Sequence, residues 1–221
     1  MLRHRLISFV MFLAILISVP PLSWANSCLQ GTGLLGQQQR TLAAFDHIVL
    51  QGSFTLKVRV TGQNLCTVSG DENLLDEVVT QVEDGELLIA PKTALQLKQP
   101  MVINLEVADL AGVTAEGAHR VEIDDLLCPA FVLTLDGACS ARLTGFASLL
   151  EAELSGASTL EAEHLECCDA SVVANGTTVA KLQVKKSLGV HASGIAEVLY
   201  RGEPELAVVD LTGRARVAPL D

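Results

Sequence analysis

Apolar and polar positions alternate in short runs between residues 45 and 110. After Phe45 comes His47-Ile48-Val49-Leu50, and then Phe54, Leu56, Val58 and Val60 alternate with Thr55, Lys57 and Arg59. A period of two predicts strands with one buried face, with Gln51-Gly52 as the turn between them. Thr67-Val68-Ser69 continues as a short strand. Within Asp71–Val82, the residues Leu74, Leu75, Val78, Val79 and Val82 fall at helical spacing and predict a helix of about three turns. Asp84-Gly85 reads as a turn. Glu86–Ala90 and Met101–Val107 read as further strands.

From residue 111 the pattern repeats. Gly117, Gly137, Gly156, Gly176, Gly194 and Gly213 are spaced by 20, 19, 20, 18 and 19 residues. Two positions before each glycine stand Ala115, Leu135, Leu154, Ala174, Ala192 and Leu211. Four before stand Val113, Leu133, Ala152, Val172, Val190 and Val209. Four after stand Val121, Ala141, Leu160, Ala180, Val198 and Val217. The column six after is apolar as well, from Ile123 to Tyr200 and Pro219. A unit of about 19 residues cannot bury such a face alone, so successive units must stack. The expected fold is all-β: a right-handed parallel β-helix, or solenoid, over residues 111–221, preceded by a β-rich part with a short helix over 45–110. The glycine column marks a structural corner that needs a positive φ or leaves no room for a Cβ. One outward column reads Glu122, Arg142, Glu161, Lys181, which alternates in sign when stacked.

The N-terminus is different in kind. Arg3 and Arg5 precede an apolar run from Phe9 to Val19. Pro20 and Pro21 follow, and Ser23-Trp24-Ala25 supplies small residues at the −3 and −1 positions. This predicts a signal peptide over residues 1–25 and a chain that is exported, to the periplasm or beyond, with no membrane span after cleavage. Residues 26–44 are polar and rich in Gly and Gln, and predict a flexible lead-in. Cys28 stands where a lipoprotein cysteine would, without the aliphatic residue expected three positions upstream. Of the 6 cysteines, Cys28 and Cys66 flank the N-terminal segment and are expected to form a disulfide. Cys167 and Cys168 are adjacent, which disfavours a bond between them.

A family resemblance now attaches to particular residues. The stretch Phe45–Phe54, the run Ser69-Gly70-Asp71-Glu72-Asn73-Leu74-Leu75, the run Asp84-Gly85-Glu86-Leu87-Leu88-Ile89, and repeats such as Leu154-Ser155-Gly156-Ala157-Ser158 resemble the putative auto-transporter adhesin, head GIN domain family. The likeness covers roughly residues 45–216. It implies a β-helix of exported bacterial proteins without an established enzymatic activity, and no catalytic residues to transfer. Glu116-Gly117 and Thr212-Gly213 depart from the usual Ser-Gly-Ser corner.

Composition narrows the function classes. The net charge is −11, and loss of Arg3 and Arg5 makes the mature chain more acidic. Such a surface repels nucleic acid and anionic lipid. No Gly-x-Ser-x-Gly elbow occurs. His47, His119, His164 and His191 are isolated, and no cofactor is expected. Glu151, Glu153, Glu161, Glu163, Glu166 and Asp169 could suggest calcium, but their alternation with apolar neighbours reads as an outward solvated face. The expected function is a non-enzymatic solenoid whose repetitive surface binds or adheres to an envelope or extracellular ligand, with weak homo-oligomer formation through its C-terminal turn. Two alternatives stand beside it: a carbohydrate-active hydrolase or lyase, and a structural envelope protein. The mature chain has no Trp and one Tyr, Tyr200, so it lacks the aromatic platforms that usually hold sugar rings.

Overall fold

The structure is a computed structural model that describes residues 28–220; the signal peptide expected over residues 1–25 lies outside them. The protein is nearly all-β, 70% strand and 3% helix, wound as a β-solenoid of about 5 turns with roughly 20-residue spacing. Its first part comprises β1 (Leu29–Gln30), β2 (Leu35–Arg40), β3 (His47–Gly52), β4 (Thr55–Val60) and β5 (Leu65–Asp71), then a 3-10 helix, Glu72–Glu77. There follow β6 (Val78–Glu83), β7 (Glu86–Pro91), β8 (Leu95–Gln96), β9 (Val102–Val107) and β10 (Gly112–Gly117). The repeats supply β11 (Arg120–Gly137), β12 (Ser140–Leu154), β13 (Thr159–Gly176), β14 (Val179–Gly194), β15 (Glu197–Arg201), β16 (Glu205–Leu211) and β17 (Arg216–Pro219).

Two ladders share one core. One runs β6-β7-β3-β10 and on through the second halves of β11 to β14 to β16. The other runs β2-β5-β9-β4 and on through the first halves of the same long strands to β15 and β17. Register breaks between Ile123 and Leu126, Arg142 and Thr144, and Ala162 and Glu166 recur at one place in the coil, where the long strands bend from one ladder to the other. The columns two and four before the glycines, and four after, are buried as far as Ala192 and Val198. Stacking therefore hides the apolar face of each repeat behind its neighbours.

The glycines sit at the other corner. Gly156 has φ +74, and a Cβ on it would stand 2.5 Å from the Gly137 carbonyl oxygen. Both the backbone conformation and the stacking distance exclude a side chain there. The same column extends upstream of the repeats, because Gly117 pairs in register with Gly52. The solenoid therefore begins at β3 and β4 instead of at residue 111. Its stacking order differs from its sequence order: β7 lies beneath β3, and β9 beneath β4.

Three expectations are corrected. The lead-in over 26–44 is not a flexible tail from residue 29 onward, because β1 pairs with β8 and β2 pairs antiparallel with β5. The helix expected over Asp71–Val82 ends after Glu77. Val78 to Glu83 instead forms a strand that pairs antiparallel with β7, joined by a turn in which Asp84 (φ 49) and Gly85 (φ 84) are both left-handed. Such a turn matches hairpin twist, and three β-branched valines favour the strand over another helical turn. The Cys28–Cys66 disulfide is absent, and both thiols are free. β1 lies at the Asp71 end of β5, whereas Cys66 lies five residues further back, about 17 Å along a strand, with its side chain in the core. Burial pushes the Cys66 thiol up to about 11. Cys128, Cys139, Cys167 and Cys168 are also free.

Candidate functional site

The outward face of the second ladder carries one continuous row of side chains. In register it reads Gln39, Thr67, Asn104, Lys57, Glu122, Arg142, Glu161, Lys181. The four charges expected from the repeats are adjacent, as stacking requires, and the row continues through Lys57 into the N-terminal part. Lys57 Nζ lies 3.3 Å from Glu122, and Arg120 Nε donates to Glu122 at 2.8 Å. The Arg120 hydrogen bond, joined by Lys57, holds the Glu122 carboxyl below its usual range. A groove of about 570 Å³ lies over the start of this row, lined by Arg40, Lys57, Arg59, Glu106, Glu122 and Asp124 among others. A shallower depression over Glu122, Arg142 and Glu161 continues it along the face.

The outward face of the first ladder is different. Its central row reads Leu88, Val49, Thr114, Thr134, Glu153, Val173, His191, Asp210. It is apolar or hydroxylic over half its length, and acidic groups enter singly. Glu151 and Glu153 point outward here, while Glu161 points outward on the charged face. The acidic residues between 151 and 169 are thus divided between faces. Among the described residues no group of three His, Cys, Asp or Glu side chains is placed to hold a metal.

A buried junction ties β1 and β2 to the N-terminal end of the coil. Asp71 is fully buried. Its carboxylate accepts the Gly33 N–H at 2.6 Å, the Lys98 N–H at 2.8 Å and the Gln99 N–H at 3.0 Å. These bonds, that from Gln99 foremost, hold its pKa below the ordinary 3.8. Asn73 accepts from the Thr32 N–H and donates to the Gln30 carbonyl, each at 2.9 Å. The run Ser69–Asn73 is therefore a staple for β1 and β2. Arg40 donates to the carbonyls of Leu75 and Val78, both at 2.6 Å, and closes the end of the 3-10 helix.

The six corner glycines, Gly117 to Gly213, all have positive φ and line one edge of the coil. They bring no chemistry of their own. Two positions after them a buried polar column was not read from the sequence. His119 accepts the Phe54 N–H at Nδ1 and donates from Nε2 to the Glu116 carbonyl. Ser158 donates to Ser155 at 2.8 Å. Burial, the largest influence, pushes the His119 pKa below 6.5, so a neutral ring fills this corner.

Comparison with known proteins agrees with this architecture. No curated protein matches the chain. A putative adhesin from Bacteroides fragilis NCTC 9343 superposes with a TM-score of 0.69 at 16% identity, over 86% of this chain and 98% of that one. A putative adhesin from Parabacteroides distasonis ATCC 8503 gives 0.63 at 16% identity, over 87% and 99%. A putative lipid binding protein from the same organism gives 0.51 at 17% identity, over 87% and 99%. At these identities the likeness is one of fold. Among the described residues no helix is long and apolar enough to cross a membrane. The sequence model of the putative auto-transporter adhesin, head GIN domain family matches residues 44–204, and the chain belongs to that family of adhesin-type, surface or exported proteins.

Proposed function

We propose that this protein is an exported, non-enzymatic binding protein that adheres to an extended polar ligand through the charged face of its solenoid. The observation that carries the reading is the eight-residue row from Gln39 to Lys181 with the groove above it. Stacked strands fix its donors and acceptors at a spacing of about 4.8 Å, so binding need not order a mobile loop. Alternating signs favour a partner that itself alternates donors and acceptors, such as a glycan or an extended peptide. The ion-paired state of Glu122 suits this role better than catalysis, because a general acid needs a raised pKa. That weighs against the hydrolase or lyase alternative.

The test is binding of purified protein to arrayed bacterial and host polysaccharides and to immobilised extracellular matrix proteins, beside a Lys57→Ala, Arg142→Ala, Lys181→Ala variant. Binding by the parent, reduced at least about tenfold in a variant that melts normally, supports the reading. Equal binding by the two, or hydrolysis of a polysaccharide by the parent, overturns it. Protease accessibility on intact cells and in the periplasmic fraction separates secretion or surface display from a periplasmic location.

A further inference from the structure

We propose that the C-terminal end of the solenoid is a self-complementary interface through which two copies join head to head about a two-fold axis at the Gly213 corner. The end is an open coil. β16 stacks on β14, and β17 stacks on β15. Among the described residues neither carries a further strand on its outer side. Leu206 and Val209 continue the buried columns of Leu188 and Val190, yet they are 45% and 44% exposed, and Leu211 is 38% exposed. An edge of this kind presents unpaired backbone donors and acceptors over an apolar floor, and a strand is what fits it.

The sequence around Gly213 selects a second copy as that strand. Two positions either side of the glycine stand Leu211 and Ala215, and four either side stand Val209 and Val217. Three either side stand Asp210 and Arg216. No inner corner has opposite charges at those two places: the pairs are Thr114 and Arg120, Thr134 and Ser140, Glu153 and Thr159, Val173 and Val179, and His191 and Glu197. β16 runs into the corner and β17 runs out of it. A two-fold axis through Gly213, in the plane of the coil, lays β16 of one copy over β17 of the other, antiparallel.

Leu211 then meets Ala215, Val209 meets Val217, and Asp210 meets Arg216, each twice. The apolar columns of the two solenoids become continuous, and two ion pairs flank them on the outside. Pro219 ends the pairing because it has no N–H to donate. Within one chain Arg216 pairs with Glu197, and Asp210 lies 3.8 Å from His191. Both charges are thus held on the outer surface at the rim of the end. Two-fold symmetry is the commonest closed solution for such a patch, and it doubles every contact without leading to a fibre.

The test is sedimentation of purified protein over a wide concentration range. The wild type shifts from monomer to dimer. Asp210→Arg alone and Arg216→Asp alone set like charges against each other and weaken association at least about tenfold. An equal mixture of the two variants restores the dimer as a heterodimer, since each arginine then faces an aspartate. Val217→Lys, which places a charge in the shared apolar column, abolishes association in either background. A strict monomer at all concentrations, a dimer indifferent to Val217→Lys, or folded single variants whose mixture stays monomeric would each overturn the proposal.

Discussion

The two ends of the solenoid solve the same problem in opposite ways. At the N-terminal end the last parallel strands, β7 and β9, are covered by strands running the other way, β6 against β7 and β5 against β9, and β2 in turn pairs antiparallel with β5. The 3-10 helix adds Leu74 and Leu75 to the core, and Arg40 and Asp71 satisfy the backbone groups that the reversal exposes. At the C-terminal end the chain keeps its parallel sense to Pro219, and every residue of β16 is exposed. A repeat encodes its own stacking but not its termination. Closing an end requires residues outside the repeat, and the described residues supply them at the N-terminal end.

The largest expected effect separates the ends directly. Leu74 is fully buried beneath the cap, so Leu74→Ala removes buried methyl groups and leaves a cavity, at a cost of about 2–5 kcal/mol. Leu206→Ala trims a half-exposed side chain and is expected to cost under about 1 kcal/mol in the monomer. Urea midpoints at low protein concentration check both. Equal losses at the two ends would mean that the C-terminal coil is covered in solution.

Gly156 lies between the ends and tests whether the corner column holds the stack along its length. Gly156→Val places a β-branched side chain at φ +74 and against the Gly137 carbonyl, with an expected loss of about 1–3 kcal/mol. An unchanged urea midpoint would show that the coils tolerate separation at this corner.

Acid should loosen the capped end first. The Asp71 carboxyl has a folded pKa lowered from 3.8, chiefly by the Gln99 N–H. Its contribution is complete above the unfolded pKa and is lost as pH falls through the lower folded value. The protection of β1 and β2 against hydrogen exchange, relative to the intrinsic rate at each pH, should therefore fall below about pH 4 before that of β12 and β13. In Asp71→Asn that protection should already be low at neutral pH and change little further with acid. A uniform loss of protection along the chain would remove Asp71 from this role.

Much of this contrast was legible in the chain, and the unread part has a physical cause. The columns around Gly117 to Gly213 identify interior and exterior because each position repeats in register. Gly52 obeys the same rule, with Ile48 and Leu50 before it and Leu56 and Val58 after. Its distance from Gly117 hid it, since β5 to β9 intervene in sequence but stack elsewhere. The pattern Leu74, Leu75, Val78, Val79 and Val82 suits a helix or a helix-then-strand equally, and tertiary pairing with β7 decided it. The Cys28–Cys66 expectation failed because proximity in a folded ladder follows register. The groove was unreadable for the same reason: Arg40, Glu106 and Asp124 meet only once β2, β9 and β11 share a face.

The smallest expected effect tests the charged row that runs from the capped end as far as Lys181. Arg142 pairs in register with Glu122 on one side and Glu161 on the other. Arg142→Glu sets three carboxylates on consecutive strands, about 4.8 Å apart. Near the surface the added repulsion is about 1 kcal/mol. At about 0.01 M salt the screening length is near 30 Å and the repulsion is felt in full; at 1 M it is near 3 Å, less than the strand spacing. The difference in urea midpoint between variant and parent should therefore shrink as salt rises from the first condition to the second. The same substitution at Lys181 should cost less, because Lys181 faces Glu161 on one side but the uncharged Leu199 on the other. A loss at Arg142 that is indifferent to salt would mean the side chain acts by packing. A larger loss at Lys181 would mean that the row's electrostatics do not follow its register.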